Sequence, residues 1–266
     1  MFRTRLISSI ILMAITLAMV ILGGNYLFAA LFIVSIIGMT ELFRVVNIHR
    51  SLPGILAYAA GAVYYVLIYQ ELQSYQLLLV IAFLMLLMFA YVLSFPKFKT
   101  DQIAIAFFGL FYVSVMLSYI YQVRVLQDGE ILVWLIFIGA WGSDTFAYCT
   151  GMLIGRHKAF PKLSPKKSAE GCFGGVIGAA LLGFLFAVIF QEKVQGIENV
   201  RLSFTIIGAA SSVISQLGDL AASAIKRDHA IKDYGTLIPG HGGILDRFDS
   251  IIFTAPIVYY LAVYVG

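Results

Sequence analysis

Residues 76–94 read QLLLVIAFLMLLMFAYVLS. None of them is charged, and only Gln76, Tyr91 and Ser94 carry a hydrogen-bonding side-chain group. A helix of this length covers about 28 Å at 1.5 Å per residue, close to the roughly 30 Å of a bilayer's hydrocarbon core. A surface helix of a soluble domain keeps one polar face, and this run has none. Around it the chain is 61% hydrophobic and 12% charged, with a mean hydropathy of +0.94. A soluble domain carries about 25% charged residues, so a buried soluble core does not account for the composition.

Similar runs recur along the chain, at about 6–22, 26–43, 53–70, 76–94, 102–121, 131–150, 171–190, 202–225 and 248–265. The breaks between them are polar or carry turn residues, among them Gly23-Gly24-Asn25, Phe95-Pro96-Lys97 and Gln127-Asp128-Gly129. The expected fold is therefore an all-α, polytopic membrane bundle of about nine transmembrane helices. Arg3 and Arg5 precede the first run, but no small-residue cleavage site follows, so it is read as a retained helix rather than a signal peptide. Cys149 and Cys172 are too few for a disulfide framework and are expected to pack.

The basic residues set the orientation. With the N-terminus in the cytoplasm, 15 of the 18 Lys and Arg fall on the cytoplasmic side, and only Arg124, Lys193 and Arg201 on the other. This obeys the positive-inside rule. Residues 1–125 are read as five N-terminal helices. Residues 126–266 are read as a catalytic transmembrane domain with two long cytoplasmic loops, 151–170 and 226–247.

Two acids lie inside apolar runs: Asp144 in GSDTFAY and Asp219 in SQLGDLAAS. A carboxylate at a helix centre costs about 2.5–3.5 kcal/mol to insert, so each is expected to face the bundle interior or a wet cavity. Asp144 is expected about 9 Å from the cytoplasmic end of its helix, with Asp219 at a similar depth. Asp246 and Asp249 open the last run on the same side. Carboxylates converging near phosphates are a way to hold Mg²⁺. A second reading is open for each: Asp144 and Asp219 as partners of neighbouring polar groups, Asp246 and Asp249 as helix N-terminal charges. Ser215, Asp219 and Ser223 are four apart and share a helical face. The turn Pro239-Gly240-His241-Gly242-Gly243 would let backbone N–H groups approach a phosphate, or would simply be a turn. Lys226, Arg227, Lys232 and Arg247 would clamp phosphates or only obey the charge rule. Lys166 and Lys167 would recruit an anionic head group or only attract the membrane surface.

Taken together, residues 223–249 are more specific than their parts. The stretch SAIKRDHAIKDYGTLIPGHGGILDRFD closely resembles the signature of the phosphatidate cytidylyltransferase (CDP-diacylglycerol synthase) family. Gly218-Asp219, GSDTFAY at 142–148, GRHK at 155–158 and SPKKSAEG at 164–171 are similar to that family as well. The first five runs match only as generic membrane helices. The resemblance implies a Mg²⁺-dependent enzyme that joins CTP and phosphatidic acid into CDP-diacylglycerol and pyrophosphate for phospholipid synthesis. It implies a homodimer in the cell (inner) membrane, with its active site facing the cytoplasm and no nucleic-acid partner. Carried onto this chain, Asp219 and Asp246 are the expected metal ligands, with Asp249 behind them. Asp219, Asp246, Lys226, Arg227 and His241 are the expected catalytic residues. Ser223, Arg247, Gly242, Gly243, Lys166, Lys167 and Asp144 are the expected substrate contacts.

Two other classes fit less well. A transporter would need polar residues on both sides of the midplane, and here they crowd one face. An alcohol phosphotransferase needs Asp-Gly-x-x-Ala-Arg, and Asp128-Gly129 is followed by Glu130-Ile131.

Overall fold

The structure is a computed structural model that describes residues 2–265, with side chains from 7 to 264. The side chains of Arg3 and Arg5 lie outside the described residues. The chain forms nine helices among the described residues: α1 (Phe2–Leu22), α2 (Gly24–Val45), α3 (Leu52–Tyr69), α4 (Gln76–Leu93), α5 (Thr100–Arg124), α6 (Gly129–Ile154), α7 (Ala169–Phe190), α8 (Val200–Asp228) and α9 (Leu245–Val265). Seven of them, α2 to α8, are long and apolar enough to cross a membrane. The protein is an all-α, multi-pass membrane protein, as its composition requires. One feature departs from a purely helical reading. An antiparallel hairpin of β1 (Lys158–Phe160) and β2 (Ser164–Ser168) fills the 151–170 loop.

The chain divides into two compact units. The first is Met1–Ser118 together with Asp233–Arg247; the second is Tyr119–Lys232 together with Phe248–Gly266. The division falls inside α5, between Ser118 and Tyr119, and the segment 233–247 is grouped with the N-terminal helices.

In the first unit, apolar packing is pinned by a few polar contacts. Ser35 on α2 and the Tyr65 hydroxyl on α3 are 2.7 Å apart and fully buried. The Tyr65 ring sits against Phe28 and Phe32, with centroids 5.5 and 5.4 Å away. Ser114 on α5 donates to the Met39 sulfur on α2. Such a bond inside an apolar bundle satisfies a hydroxyl that lipid would leave unpaired.

In the second unit, α7 lies against both α6 and α8 by close backbone approach. A Cβ on Gly175 would stand 3.0 Å from the Ser143 carbonyl, and one on Gly171 2.8 Å from that of Ala147. On the other side, Gly208 of α8 faces the Ala179 carbonyl, and Gly183 of α7 faces the backbone of Phe204. Small residues let membrane helices pack this closely where no hydrophobic force drives them together.

Candidate active site

The second unit contains a cavity of about 430 Å³. Its polar lining is Asp144, Ser164, Lys166, Lys167, Ser168 and Asp219, and Tyr148 and Met152 supply apolar wall. Asp219 Oδ2 accepts a hydrogen bond from Lys167 Nζ at 3.2 Å. The lysine is 13% exposed and the aspartate 38%. The two intramembrane acids singled out from sequence therefore line one cavity together with a lysine from the hairpin.

Each side chain is delivered by a different element. In α6 a π-helical turn, Ile138–Gly142, immediately precedes Ser143 and Asp144. Such a bulge re-aims the residues that follow it and is frequent at functional sites. The helix is fixed there by Ser143, whose hydroxyl is 2.7 Å from that of Ser212 on α8. On α8, Gln216 donates to the Cys172 carbonyl of α7, one turn before Asp219. α6 and α8 both outrun the spans read from sequence, ending at Ile154 and Asp228. This puts Asp144 and Asp219 each about 14 Å from its helix end, deeper than the 9 Å expected.

The hairpin is anchored at its base. Ser168 caps α7 by accepting from the Gly171 N–H at 3.2 Å. Glu170 accepts from the backbone N–H groups of Arg156 and His157, and its Oε1 is 2.6 Å from His157 Nδ1. Lys167, one residue before the cap, is thus held on a short arm, and Lys166 beside it is exposed.

Next along α7 and α8 is a second, apolar cavity of about 320 Å³. Phe160, Phe173, Val176, Val213, Leu217 and Leu220 line it. Phe173 is two residues from Gly171, and Leu220 is next to Asp219; Gly171 and Asp219 both line the polar cavity.

Ser223, Lys226 and Arg227 continue along α8 beyond the lining of the polar cavity. Lys226 and Arg227 occupy the last turn of the helix, where cations suit the dipole. Lys232 is exposed. Asp249 lies in the second unit: its backbone carbonyl abuts Gly218, next to Asp219, and its Oδ1 accepts from the Ser250 N–H.

The remaining candidates, His241, Gly242, Gly243, Asp246 and Arg247, belong to the first unit. Gly240 (φ 79°) and Gly242 (φ 87°) adopt the left-handed conformation that turns the loop back on itself. The Ile238 N–H donates to the Gly242 carbonyl, and the His241 N–H to the Ile238 carbonyl. His241 Nε2 is 2.9 Å from the Ser9 hydroxyl of α1, and Ser8 donates to the Pro239 carbonyl. Arg247 is exposed. Asp246 is 5% exposed, and its Oδ2 accepts from the N–H groups of Tyr234 and Gly243 at 2.8 and 2.9 Å.

One residue in this loop's surroundings has no counterpart among the sequence candidates. Glu41 on α2 is 2% exposed and accepts from the N–H groups of Ile244 and Leu245 at 3.0 and 2.8 Å. Backbone donors of the glycine-rich turn that would suit a phosphate are thus taken up by the chain's own carboxylates.

Among the described residues, no three His, Cys, Asp or Glu side chains are grouped to hold a metal by themselves. The fit to Mg²⁺ is of another kind. That ion is commonly held by one or two carboxylates and completed by substrate phosphates and water, and Asp144 with Asp219 supplies such a pair.

A model of the cytidylyltransferase family matches residues 3–265. The phosphatidate cytidylyltransferase of Staphylococcus haemolyticus is 34% identical over 268 positions, which cover 98% of this chain and 99% of that protein. That of Staphylococcus epidermidis is 33% identical with the same coverage. The Bacillus subtilis protein of that name is 29% identical over 97% of both chains.

Proposed function

The chain belongs to the cytidylyltransferase family, and from that premise we propose that it transfers the cytidylyl group of CTP to phosphatidic acid at the cytoplasmic face of the cell (inner) membrane. The products are CDP-diacylglycerol and pyrophosphate. The observation that carries the reading within this chain is the Asp144–Lys167–Asp219 cluster in a cavity between spanning helices.

The chemistry fits these residue types. A phosphate monoester has a second pKa near 6 and is largely dianionic at pH 7, so its oxygen needs little help from a base. That oxygen attacks the α-phosphorus of CTP, and the bond to the β-phosphate oxygen breaks, releasing pyrophosphate. The barrier is chiefly electrostatic, because two anions must meet, so positioning and positive charge supply the catalysis. Lys167, with Lys166 at the rim, is assigned to the phosphate of the lipid. His241 and Arg247 are assigned to nucleotide phosphates on the strength of the signature, with Lys226, Arg227 and Ser223 as further contacts. Mg²⁺, held by Asp219 and Asp144, would supply further positive charge against the phosphates; Asp246 and Asp249 remain metal candidates on the signature alone. The apolar cavity beside the polar one suits an acyl chain of the lipid. The family resemblance also carries a homodimer, which mass measurement of the detergent-solubilised chain tests.

Purified chain in detergent, given CTP, phosphatidic acid and Mg²⁺, should release pyrophosphate, and omission of any one should stop it. Asp219→Ala should abolish release while the folded protein is retained. Release without phosphatidic acid, or unchanged activity in Asp219→Ala, would overturn the reading.

A further inference from the structure

Glu41 is a carboxylate in a place its own helix does not favour. It lies four residues before the end of α2, where the helix dipole repels an anion. Its stabilisation comes from elsewhere in the first unit. The N–H groups of Ile244 and Leu245, at the start of α9, both donate to it. These are donors that a helix N-terminus leaves unsatisfied, and an anion there complements the dipole of α9. The fit is also steric. A Cβ on Gly235 would stand 2.5 Å from Glu41 Oε1, and a Cβ on Gly243 would collide with the same carboxylate. The two ends of the glycine-containing loop therefore close on one buried side chain. Asp246 ties the same two ends, through Tyr234 and Gly243.

We infer that Glu41 is a positioning residue: its carboxylate, fixed in α2, holds the backbone of the 233–247 loop and the first turn of α9, and so orients His241 and Arg247 for the reaction. This rests on the cytidylyl transfer proposed above. A side chain at 235 or 243 would displace the Glu41 carboxylate from its place.

Two measurements on the full-length chain in detergent test this, and one of them does not depend on activity. Glu41→Gln keeps the shape but turns an NH₂ group toward a backbone donor. Amide exchange should then speed at least tenfold in 233–247 and stay unchanged in the rest of α2 and in α3. With CTP and phosphatidic acid, kcat should fall at least tenfold while KM for phosphatidic acid stays within twofold. Gly243→Ala, made against the intact carboxylate, should give the same split and carries the test if the glutamine variant does not fold. The double variant should be no worse than the poorer single one, because both act through one contact. Ser35→Ala, which breaks a buried bond elsewhere in α2, serves as the control for general destabilisation. Unchanged exchange or unchanged kcat in Glu41→Gln would overturn the inference. So would an exchange increase spread through α2 and α3, with a loss of kcat no greater than in Ser35→Ala. A wild-type chain that releases no pyrophosphate would instead remove the proposed reaction, and local exchange alone would then decide whether Glu41 anchors the loop.

Discussion

Lys167 and Asp219 sit 3.2 Å apart with Asp144 lining the same cavity, so one ammonium faces two carboxylates. Removing it takes the hydrogen-bonded ammonium from Asp219, whose side chain is 38% exposed, so the cost to stability is that of a solvent-screened pair, at most about 1 kcal/mol. Lys167→Met should lower kcat/KM at least a hundredfold, through loss of a positive charge facing the phosphates, and change thermal stability only slightly, read by pyrophosphate release and by melting in detergent. Lys166→Met, at an exposed position, should cost less than tenfold. Asp144 and Asp219 were legible in sequence because a lone acid in an apolar run is expensive wherever it does not face water or a partner. Glu41 obeys the same rule, but Arg44 lies three residues on and makes it resemble an ordinary helix-end charge. The donors that explain it are 203 and 204 positions away, and no local pattern points to them.

At the scale of elements, the nine helices were legible as apolar runs, although among the described residues only seven of them, α2 to α8, are long and apolar enough to cross a membrane. The hairpin was not legible. Its eleven residues, KAFPKLSPKKS, are basic and carry two prolines, with no alternating apolar pattern to mark a strand. It forms because both ends are tied, by the Ala169 N–H to the His157 carbonyl and by Glu170 to the Arg156 and His157 N–H groups. The helix contacts give a prediction of their own. A Cβ at Gly183 would meet the Phe204 backbone, which cannot rotate away as a side chain would. Gly183→Ala should thus destabilise the second unit by about 1–3 kcal/mol, the usual cost of overpacking, seen as a lower melting temperature. Leu217→Trp, filling the apolar cavity, should raise KM for long-chain phosphatidic acid at least fivefold and leave KM for CTP unchanged. Equal changes for both substrates would exclude that cavity as the chain's seat.

At the scale of the molecule, the 15-to-3 distribution of Lys and Arg predicts which loops face the cytoplasm. Single cysteines placed at residues 127 and 196, in a chain with Cys149 and Cys172 replaced, should react with an impermeant maleimide added outside intact cells. One placed at residue 162 should not. Reversal of that pattern would invert the assigned orientation. The two-unit division was not legible: it cuts the fifth helix between Ser118 and Tyr119, and residues 233–247 leave their neighbours in sequence to join helices made long before. That attachment has a consequence in time. Glu41 is synthesised 203 residues ahead of the first amide that satisfies it. At about 5–20 residues per second, it waits roughly 10–40 seconds in the ribosome's schedule before its partner exists. For that interval the nascent N-terminal helices carry an uncapped acid, and an insertase or a neighbouring chain has a window in which to shelter it.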